Sequence, residues 1–492
     1  MSHTKKYLSN GIVYLIASVI TQIFNFLLIP IYTKNLPIRE VGLYQLIITV
    51  QSFLSIFMTV GIYSGMNRFF NETADKNCLK NTALIFSIIW GGIFSLFAII
   101  ISPFIAEPLL EKRNDYIFLN YIVIISFFEC LIQIYASYYA MRLEAIKSSS
   151  INLIIFAIRI VLSAYYILVL HQGIEGLLKS HLIAVAFVLT WLFIWDFKNI
   201  KLKINLYELK EMLRFGAGLT PGQVSVWVLN LIDRYFIKEL MSLQAVAFYS
   251  MANRIGMIIN PLFLVPFSKV FTPIKFSIYK EEKGRQTIKF YFDIYIFIGC
   301  LLILFLSIFS KIAILLLATN EYLHAFKVIL FIAISQFLWG LGEFYALGLH
   351  IANKMIINSA LVTVSAIINV LLNIILIPFI GIYGAAISTI IAYFIANILY
   401  HRMGRKYYDT HLSIWRPYKY LIITLLFYMF YLFYQQYIDA ILFEITANIF
   451  YILIFTIVFL KIGVIPEIKE KKIPELIKLG IKKLTSKNEL SN

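Results

Sequence analysis

The sequence predicts an all-α polytopic membrane protein with about 14 transmembrane helices. Of its 492 residues, 61% are hydrophobic and 14% are charged, whereas a soluble domain carries about 25% charged residues. The mean hydropathy is +0.83. About 14 spans of about 20 residues would absorb most of the apolar residues. These numbers exclude a soluble enzyme, a secreted disulfide scaffold and a nucleic-acid-binding domain, so we expect no nucleic-acid partner.

Apolar runs between charged or Pro/Gly-rich breaks locate the expected spans. In order, they are 10–33, 41–66, 82–105, 116–140, 150–170, 174–195, 215–238, 243–268, 287–310, 323–349, 355–378, 381–401, 418–436 and 440–461. The first run is too long for a signal peptide and is followed by no small-residue cleavage site. The short breaks at Gly173 and at Pro378–Gly381 predict helical hairpins, with a kink in one long helix as the alternative.

The net charge of +17 comes mainly from Lys and Arg residues on one side of the alternating spans. They concentrate in the segments that are cytoplasmic if the N-terminus is inside, including the basic loops 196–214 and 269–286, and are few in the outer segments. This pattern predicts that both termini are cytoplasmic.

In the tail, residues such as Ile473 and Leu476 share a helical face flanked by lysines. This pattern is typical of a helix on an anionic membrane surface, and a solvated basic tail is the alternative.

The two halves of the chain resemble each other, which predicts an internal repeat. Residues 32–36 and 42–44 match residues 236–240 and 247–249, residues 145–147 match 352–354, and residues 173–176 match 381–384. Two six-helix bundles would then be related by a pseudo-two-fold axis along the membrane normal, an arrangement that favours alternating access. The expected domains are a first bundle (1–197), a basic linker (198–214), a second bundle (215–404), two additional helices (405–463) and a basic amphipathic tail (464–492).

Three segments resemble a known transporter family. Residues 28–44 (LIPIYTKNLPIREVGLY), 61–70 (GIYSGMNRFF) and 249–266 resemble the polysaccharide transporters of the O-antigen flippase (Wzx) type. This family belongs to the multidrug/oligosaccharidyl-lipid/polysaccharide exporter superfamily. The resemblance implies a flippase of the bacterial cytoplasmic membrane, which moves an oligosaccharide linked to undecaprenyl pyrophosphate from the inner to the outer leaflet. It also implies a polysaccharide polymerase and a chain-length regulator as partners.

Ionisable residues inside spans are costly and therefore need a partner or a task. Arg159 and Arg254 are expected at mid-span, one in each half, where guanidinium groups would suit the phosphate oxygens of such a cargo. For Arg159, an ion pair with Glu129 of the neighbouring span is an equally good explanation. Glu129 is also a candidate for ion coupling.

Further polar residues in the spans have less specific interpretations. Asn25 and Asn230 occupy nearly equivalent positions of the repeat, and either helix-to-helix bonding or sugar binding explains them. Asp233 is a second candidate for ion coupling. For His181, a satisfied core histidine is favoured over a proton relay, and for Glu343 we expect hydrogen bonds to backbone or to a neighbouring serine or asparagine.

Several kinds of chemistry have no motif here. The sequence has no phosphate-binding loop and no cluster with metal-ligand spacing, and its cysteines, Cys78, Cys130 and Cys300, are scattered. We therefore expect no metal, no cofactor and no enzymatic activity. The alternative functions are a multidrug or cation antiporter of the same superfamily, a flippase for the peptidoglycan lipid precursor and, less favoured, a membrane polysaccharide polymerase or ligase.

Overall fold

The computed structural model describes residues 3–200, 203–436 and 441–466, and all regular structure in these residues is helical. The helices of the first part of the chain are α1 His3–Thr33, α2 Ile38–Thr59, α3 Ile62–Phe69, α4 Lys76–Leu110, α5 Tyr116–Met141, α6 Ala145–Ala164, α7 Gly173–Asp196, α8 Leu206–Leu231, α9 Asp233–Leu240 and α10 Leu243–Gly256. They are followed by α11 Val265–Ile278, α12 Gly284–Ile308, α13 Ser310–Leu317, α14 Val328–Tyr345, α15 Leu347–Ile351, α16 Met355–Ile380, α17 Ile382–Arg405, α18 Trp415–Gln435 and α19 Ile441–Ile462. The expected amphipathic segment from Ile473 onward lies outside the described residues.

Thirteen helical segments of the described chain are long and apolar enough to cross a membrane. The multi-pass all-α prediction is therefore confirmed. The expected span 215–238 falls on α8, which has 26 residues and so the length of a span, but begins with the polar sequence Leu-Tyr-Glu-Leu-Lys-Glu. This helix is not among the thirteen.

Several helices are longer than their apolar runs because polar residues cap them. The side chain of Asp75 accepts hydrogen bonds from the backbone N–H groups of Asn77 and Cys78, so α4 begins at Lys76, before the expected span. Asn205 caps α8 in the same way through Tyr207 and Glu208. Such caps satisfy backbone donors that the first turn of a helix leaves unpaired.

The chain forms two compact units. The first comprises Met1–Ala247 with Leu316–Thr319, and the second comprises Phe248–Leu315 with Asn320–Asn492. In the first unit, α5 is central and packs against α2, α4, α6 and α7. In the second unit, α14 packs against α12 and α17, and α12 also contacts the additional helices α18 and α19.

The packing of α8 explains why the first unit continues beyond the expected bundle boundary at residue 197. Gly216 of α8 lies directly against Gly61, so that a Cβ atom at Gly61 would be 2.6 Å from the Gly216 carbonyl oxygen. Gly65 of α3 is equally close to the backbone of Met212. The glycines at the start of the seventh expected span thus allow two helix backbones to touch. The division at residues 197–215 follows the sequence repeat and remains a prediction.

The local backbone of each unit supports the internal repeat. The first unit breaks between α6 and α7 at Gly173, and the second breaks between α16 and α17 at Gly381, both with φ of +60°. In each case the two flanking helices pack against each other. Both predicted hairpins are therefore confirmed, and the match between residues 173–176 and 381–384 has the right register.

One of the sequence matches has the wrong register. After α5, Leu143 adopts φ of 58° and Glu144 donates from its backbone N–H to Tyr139 O at 3.0 Å. After α15, Asn353 adopts φ of 55° and Lys354 donates to Leu349 O at 2.9 Å. These loops are equivalent at an offset of 210 residues, whereas matching residues 145–147 to 352–354 implies 207. Short apolar matches can slip by about one helical turn, because a turn contains 3.6 residues.

Candidate functional site

The first unit contains a polar cavity of about 410 Å³. We call it the first cavity. Residues of α2, α3, α5, α6, α7 and α8 line it. Its wall carries six large polar or charged side chains: Glu129, Gln133, Asn152, Arg159, His181 and Gln223. Because charged side chains at membrane depth are costly, this cavity is the best candidate site of the first unit.

Glu129 is held at the wall of the first cavity by two side chains. His181 Nε2 lies 2.9 Å from Glu129 Oε1, and Gln51 Nε2 donates to Glu129 Oε2 at 2.9 Å. The side chain of His181 is 6% exposed, whereas that of Glu129 is 36% exposed. The carboxylate therefore combines a buried titratable partner with access to the cavity, which is the arrangement that proton exchange requires.

Arg159 reaches the same cavity from α6. Its Nη2 donates to the hydroxyl of Tyr44 at 2.5 Å. Among the described ion pairs, none includes Arg159, and Glu129 pairs with His181 instead. The structure therefore differs from the predicted alternative of an Arg159–Glu129 ion pair. The tyrosine orients the guanidinium group without neutralising its charge.

The remaining predicted residues lie elsewhere. Asn25, on α1, and Asp233, buried at the start of α9, are not among the residues that line the first cavity. Asn230 donates to the Val226 carbonyl oxygen at 2.8 Å, one turn back in its own helix. Arg254 lies in the last turn of α10, in the second unit. The structure therefore brings together Arg159 and Glu129 but does not place Asn25, Asn230 or Asp233 with them.

The second unit contains a cavity of about 640 Å³, which we call the second cavity. Several of its lining residues lie at positions that the repeat makes equivalent to those of the first cavity. The offset between equivalent residues is 205 before α4 and α12, 210 from α5 and α14 to the hairpins, and 208 from Gly173 and Gly381 onward. The equivalent lining pairs are Ser55/Asn260, Tyr63/Ser268, Glu129/Trp339, Gln133/Glu343 and Asn152/Val362. The two units thus form the same kind of cavity with different side chains.

Glu343 is the acidic residue of the second cavity, and its partner is a lysine. Lys275 Nζ donates to Glu343 Oε2 at 2.6 Å, and the lysine side chain is 1% exposed. The expectation of backbone, serine or asparagine partners for Glu343 was therefore wrong. So was the assignment of Lys275 to a cytoplasmic loop, because α11 continues to Ile278 and carries this lysine on a buried face.

Neutral side chains occupy the positions of the second unit that are equivalent to the Glu129 group of the first cavity. At the positions equivalent to Glu129, Arg159 and His181, the second unit has Trp339, Asn369 and Thr389. Asn369 Nδ2 donates to Thr389 Oγ1 at 3.1 Å, and both residues are buried. A neutral hydrogen-bonded pair here takes the place of the arginine and histidine of the first unit.

Two features of the described residues bear on cofactors. No group of three or more His, Cys, Asp or Glu side chains could hold a metal ion. Cys78, Cys130 and Cys300 are free thiols.

Comparison with solved structures identifies the fold. The lipid II flippase MurJ, in an inward closed conformation, superposes with a TM-score of 0.69 at 15% identity, over 92% of this chain and 99% of that chain. An inward-facing multidrug resistance MATE family transporter of the MOP superfamily superposes with a TM-score of 0.65 at 17% identity, over 80% of this chain and 97% of that chain. The protein therefore has the fold of the MOP superfamily transporters.

Sequence comparison identifies the family. An uncharacterised membrane protein of Methanocaldococcus jannaschii is 22% identical over 431 residues, which are 80% of this chain and 83% of the relative. The profile of the family described as "Polysaccharide biosynthesis protein" matches residues 7–279, more than half of the chain. The chain is a multi-pass membrane protein that belongs to the polysaccharide biosynthesis protein family.

Proposed function

We propose that the protein is a flippase of the bacterial cytoplasmic membrane. In this proposal it moves an oligosaccharide linked to undecaprenyl pyrophosphate from the inner to the outer leaflet by alternating access, with both termini in the cytoplasm. The family, the transporter fold and the likeness to a lipid II flippase support transport of a lipid-linked saccharide. The cargo itself and the direction of transport are the proposal. A polysaccharide polymerase and a chain-length regulator would act on the product outside.

The observation that carries the proposal is Arg159 in the wall of the first cavity. A pyrophosphate group that leaves water needs charged donors to replace its hydration. A guanidinium group offers N–H donors in a planar fork that matches two phosphate oxygens, and it remains charged when it is buried. Because Tyr44 binds one edge of Arg159, the group is oriented before the cargo arrives. Arg254 is proposed as a second phosphate-binding residue.

Glu129 is proposed as the coupling residue. Its carboxylate shares a hydrogen bond with His181 beside the charge of Arg159, so binding of an anion at Arg159 changes the electrostatic balance at Glu129. An anionic cargo bound at Arg159 offsets the positive charge beside the Glu129 carboxylate and thereby favours proton uptake by Glu129. Asn25 and Asn230 are proposed as sugar-binding residues, and Asp233 is proposed as a second candidate for ion coupling.

A multidrug or cation antiporter is the second candidate. The observation in its favour is the partly exposed carboxylate of Glu129 in a cavity, since an organic cation requires an anionic partner. The neighbouring Arg159 argues against it, because a fixed positive charge repels a cation within the same cavity.

Transport in proteoliposomes distinguishes the two functions. Vesicles would contain the purified protein and undecaprenyl-pyrophosphate-linked oligosaccharide, and membrane-impermeant periodate would report the sugar that is exposed outside. We expect the protein to render nearly all of the lipid-linked sugar accessible, whereas empty vesicles leave the inner-leaflet fraction protected. Ethidium uptake, measured in parallel, should be absent. Ethidium transport with no change in sugar accessibility would refute the flippase proposal in favour of the antiporter.

A further inference from the structure

The second cavity has the composition of a carbohydrate site. We propose that it binds a pyranose ring of the cargo, with the Glu343 carboxylate accepting hydrogen bonds from ring hydroxyls and the indole of Trp339 packing against the ring. The cargo as a lipid-linked oligosaccharide rests on the proposed function, whereas the affinity of this cavity for sugars does not depend on it. No residue of this cavity was among the site residues predicted from the sequence.

A buried lysine, Lys275, binds the carboxylate of Glu343, which itself lines the cavity. Lys275 occupies Oε2 from the buried side, at 2.6 Å, while the Glu343 side chain is 41% exposed and lines the cavity. An ionised carboxylate has about four acceptor positions, so one lysine leaves the others for ligand donors. Because the pair is neutral overall, it favours uncharged hydroxyl donors over a cationic ligand.

An aromatic ring and small polar side chains complete the cavity. Trp339 lines it near Glu343 on α14, and its ring lies 5.4 Å from that of Tyr393, at an interplanar angle of 47°. The remaining wall includes Asn260, Ser268, Thr272 and Asn358. Aromatic faces carry partial negative charge and attract the C–H groups of a sugar ring, while amides and hydroxyls suit its hydroxyl groups.

The volume of the second cavity and its differences from the first cavity both favour a sugar ligand. A volume of 640 Å³ lies within the range of about 300–1,000 Å³ that is typical of small-molecule sites. Replacement of a glutamate by Trp339 at the equivalent wall position removes a charge and adds a stacking surface. Lys269, the only lysine among the described lining residues, is exposed, so the charged pair next to Trp339 is that of Glu343 and Lys275.

The proposal can be tested by saturation-transfer difference NMR on the purified full-length protein in detergent micelles. The probes are the methyl glycosides of glucose, galactose, mannose and N-acetylglucosamine. We expect saturation transfer to the ring protons of at least one glycoside. Trp339→Leu should weaken its binding about tenfold, whereas Trp339→Phe, which keeps an aromatic face, should bind within about threefold of the wild type.

A double variant tests the carboxylate without leaving a buried charge. Lys275→Met with Glu343→Gln removes both charges together, so the protein should elute as a folded monodisperse species and bind the glycoside about tenfold more weakly. Arg159→Gln should bind the glycoside as the wild type does, even though it impairs flipping. The proposal is overturned if no glycoside receives saturation from the wild type, or if Trp339→Leu and the double variant bind as the wild type does. Normal flipping together with that result would leave the proposed function standing.

Discussion

Replacement of Arg159 by glutamine should weaken cargo binding far more than replacement by lysine. A guanidinium group has five N–H donors, of which one is directed at Tyr44 and the Nε–H is buried without a partner in the described structure, so about three remain for the cargo. Two bonds to phosphate oxygens, at about 1.5–3 kcal/mol each, amount to about 3–6 kcal/mol. Each loss of about 1.4 kcal/mol of binding free energy weakens affinity tenfold, so glutamine should raise the half-saturating cargo concentration by at least about 100-fold. Lysine, with one point charge, should raise it about 10- to 100-fold.

The assay is the periodate-accessibility measurement in proteoliposomes at a series of cargo densities. Arg113→Gln is the matched control, because this arginine is exposed in a short loop of the same unit, and it should behave as the wild type does. Incorporation of each variant is quantified by its content in the floated vesicles. A half-saturating density for Arg159→Gln within about threefold of the wild type would refute the role of this residue in phosphate binding.

Three further predictions follow from individual residues. Arg254→Ala should abolish flipping although the protein inserts normally, and Arg254→Lys should retain part of it; full activity of the alanine variant in the periodate assay would contradict the proposed phosphate contact. Glu129→Gln should remove the stimulation of flipping by an imposed proton gradient, which an ionophore should also remove from the wild type; stimulation that persists in the variant would exclude Glu129 as the coupling residue. Arg416 donates from Nε and Nη2 to the fully buried carboxylate of Asp293, at 2.7 and 3.1 Å. Arg416→Met leaves this carboxylate buried and unpaired, so it should lower the free energy of unfolding by about 3–5 kcal/mol. Adding Asp293→Leu should restore most of the lost stability, as measured by denaturation in detergent.

Hydrophobic patterning was sufficient to predict most of the fold. Every expected span has a helix of the described residues at its position, and the hairpin breaks fall at Gly173 and Gly381. These features are local, because apolar length and a left-handed glycine are properties of a short segment. The ends of the helices are less local. Asp75 moves the start of α4 through a side-chain cap that an apolar run does not contain.

The candidate site was only partly predictable because its members come from different helices. Arg159 and Glu129 could be named from the cost of a charge inside a span. Tyr44 and His181 could not be connected to them, since their contacts join residues 115 and 52 positions apart in the chain. Lys275 was assigned to a loop because a basic residue near the end of an apolar run is usually at the membrane surface. Its buried partner, Glu343, is 68 positions away.

The repeat itself contained a signal that could have located both cavities. At an offset of 210 residues, Phe127 matches Phe337, and Tyr135–Ala136 matches Tyr345–Ala346. This register aligns α5 with α14 and places Gln133 opposite Glu343. The match chosen from the sequence, at 207, would place each polar residue of α5 about one helical turn away from its true counterpart. A repeat is therefore informative about a site only once its register is known to better than one turn.

The correct register also separates packing from function. Equivalent positions of the two cavities share the same helix framework, so the requirements of packing at these positions are similar in the two units. Ser180 and Ser388 illustrate this, because they occupy equivalent positions of α7 and α17 and are both fully buried. One residue further along, His181 and Thr389 differ in chemistry and size. Packing therefore does not require the polar trio Glu129, Arg159 and His181 of the first cavity, since the second unit folds with Trp339, Asn369 and Thr389 at the equivalent positions. A group that costs free energy at membrane depth and that packing does not require is best explained by the ligand that it meets.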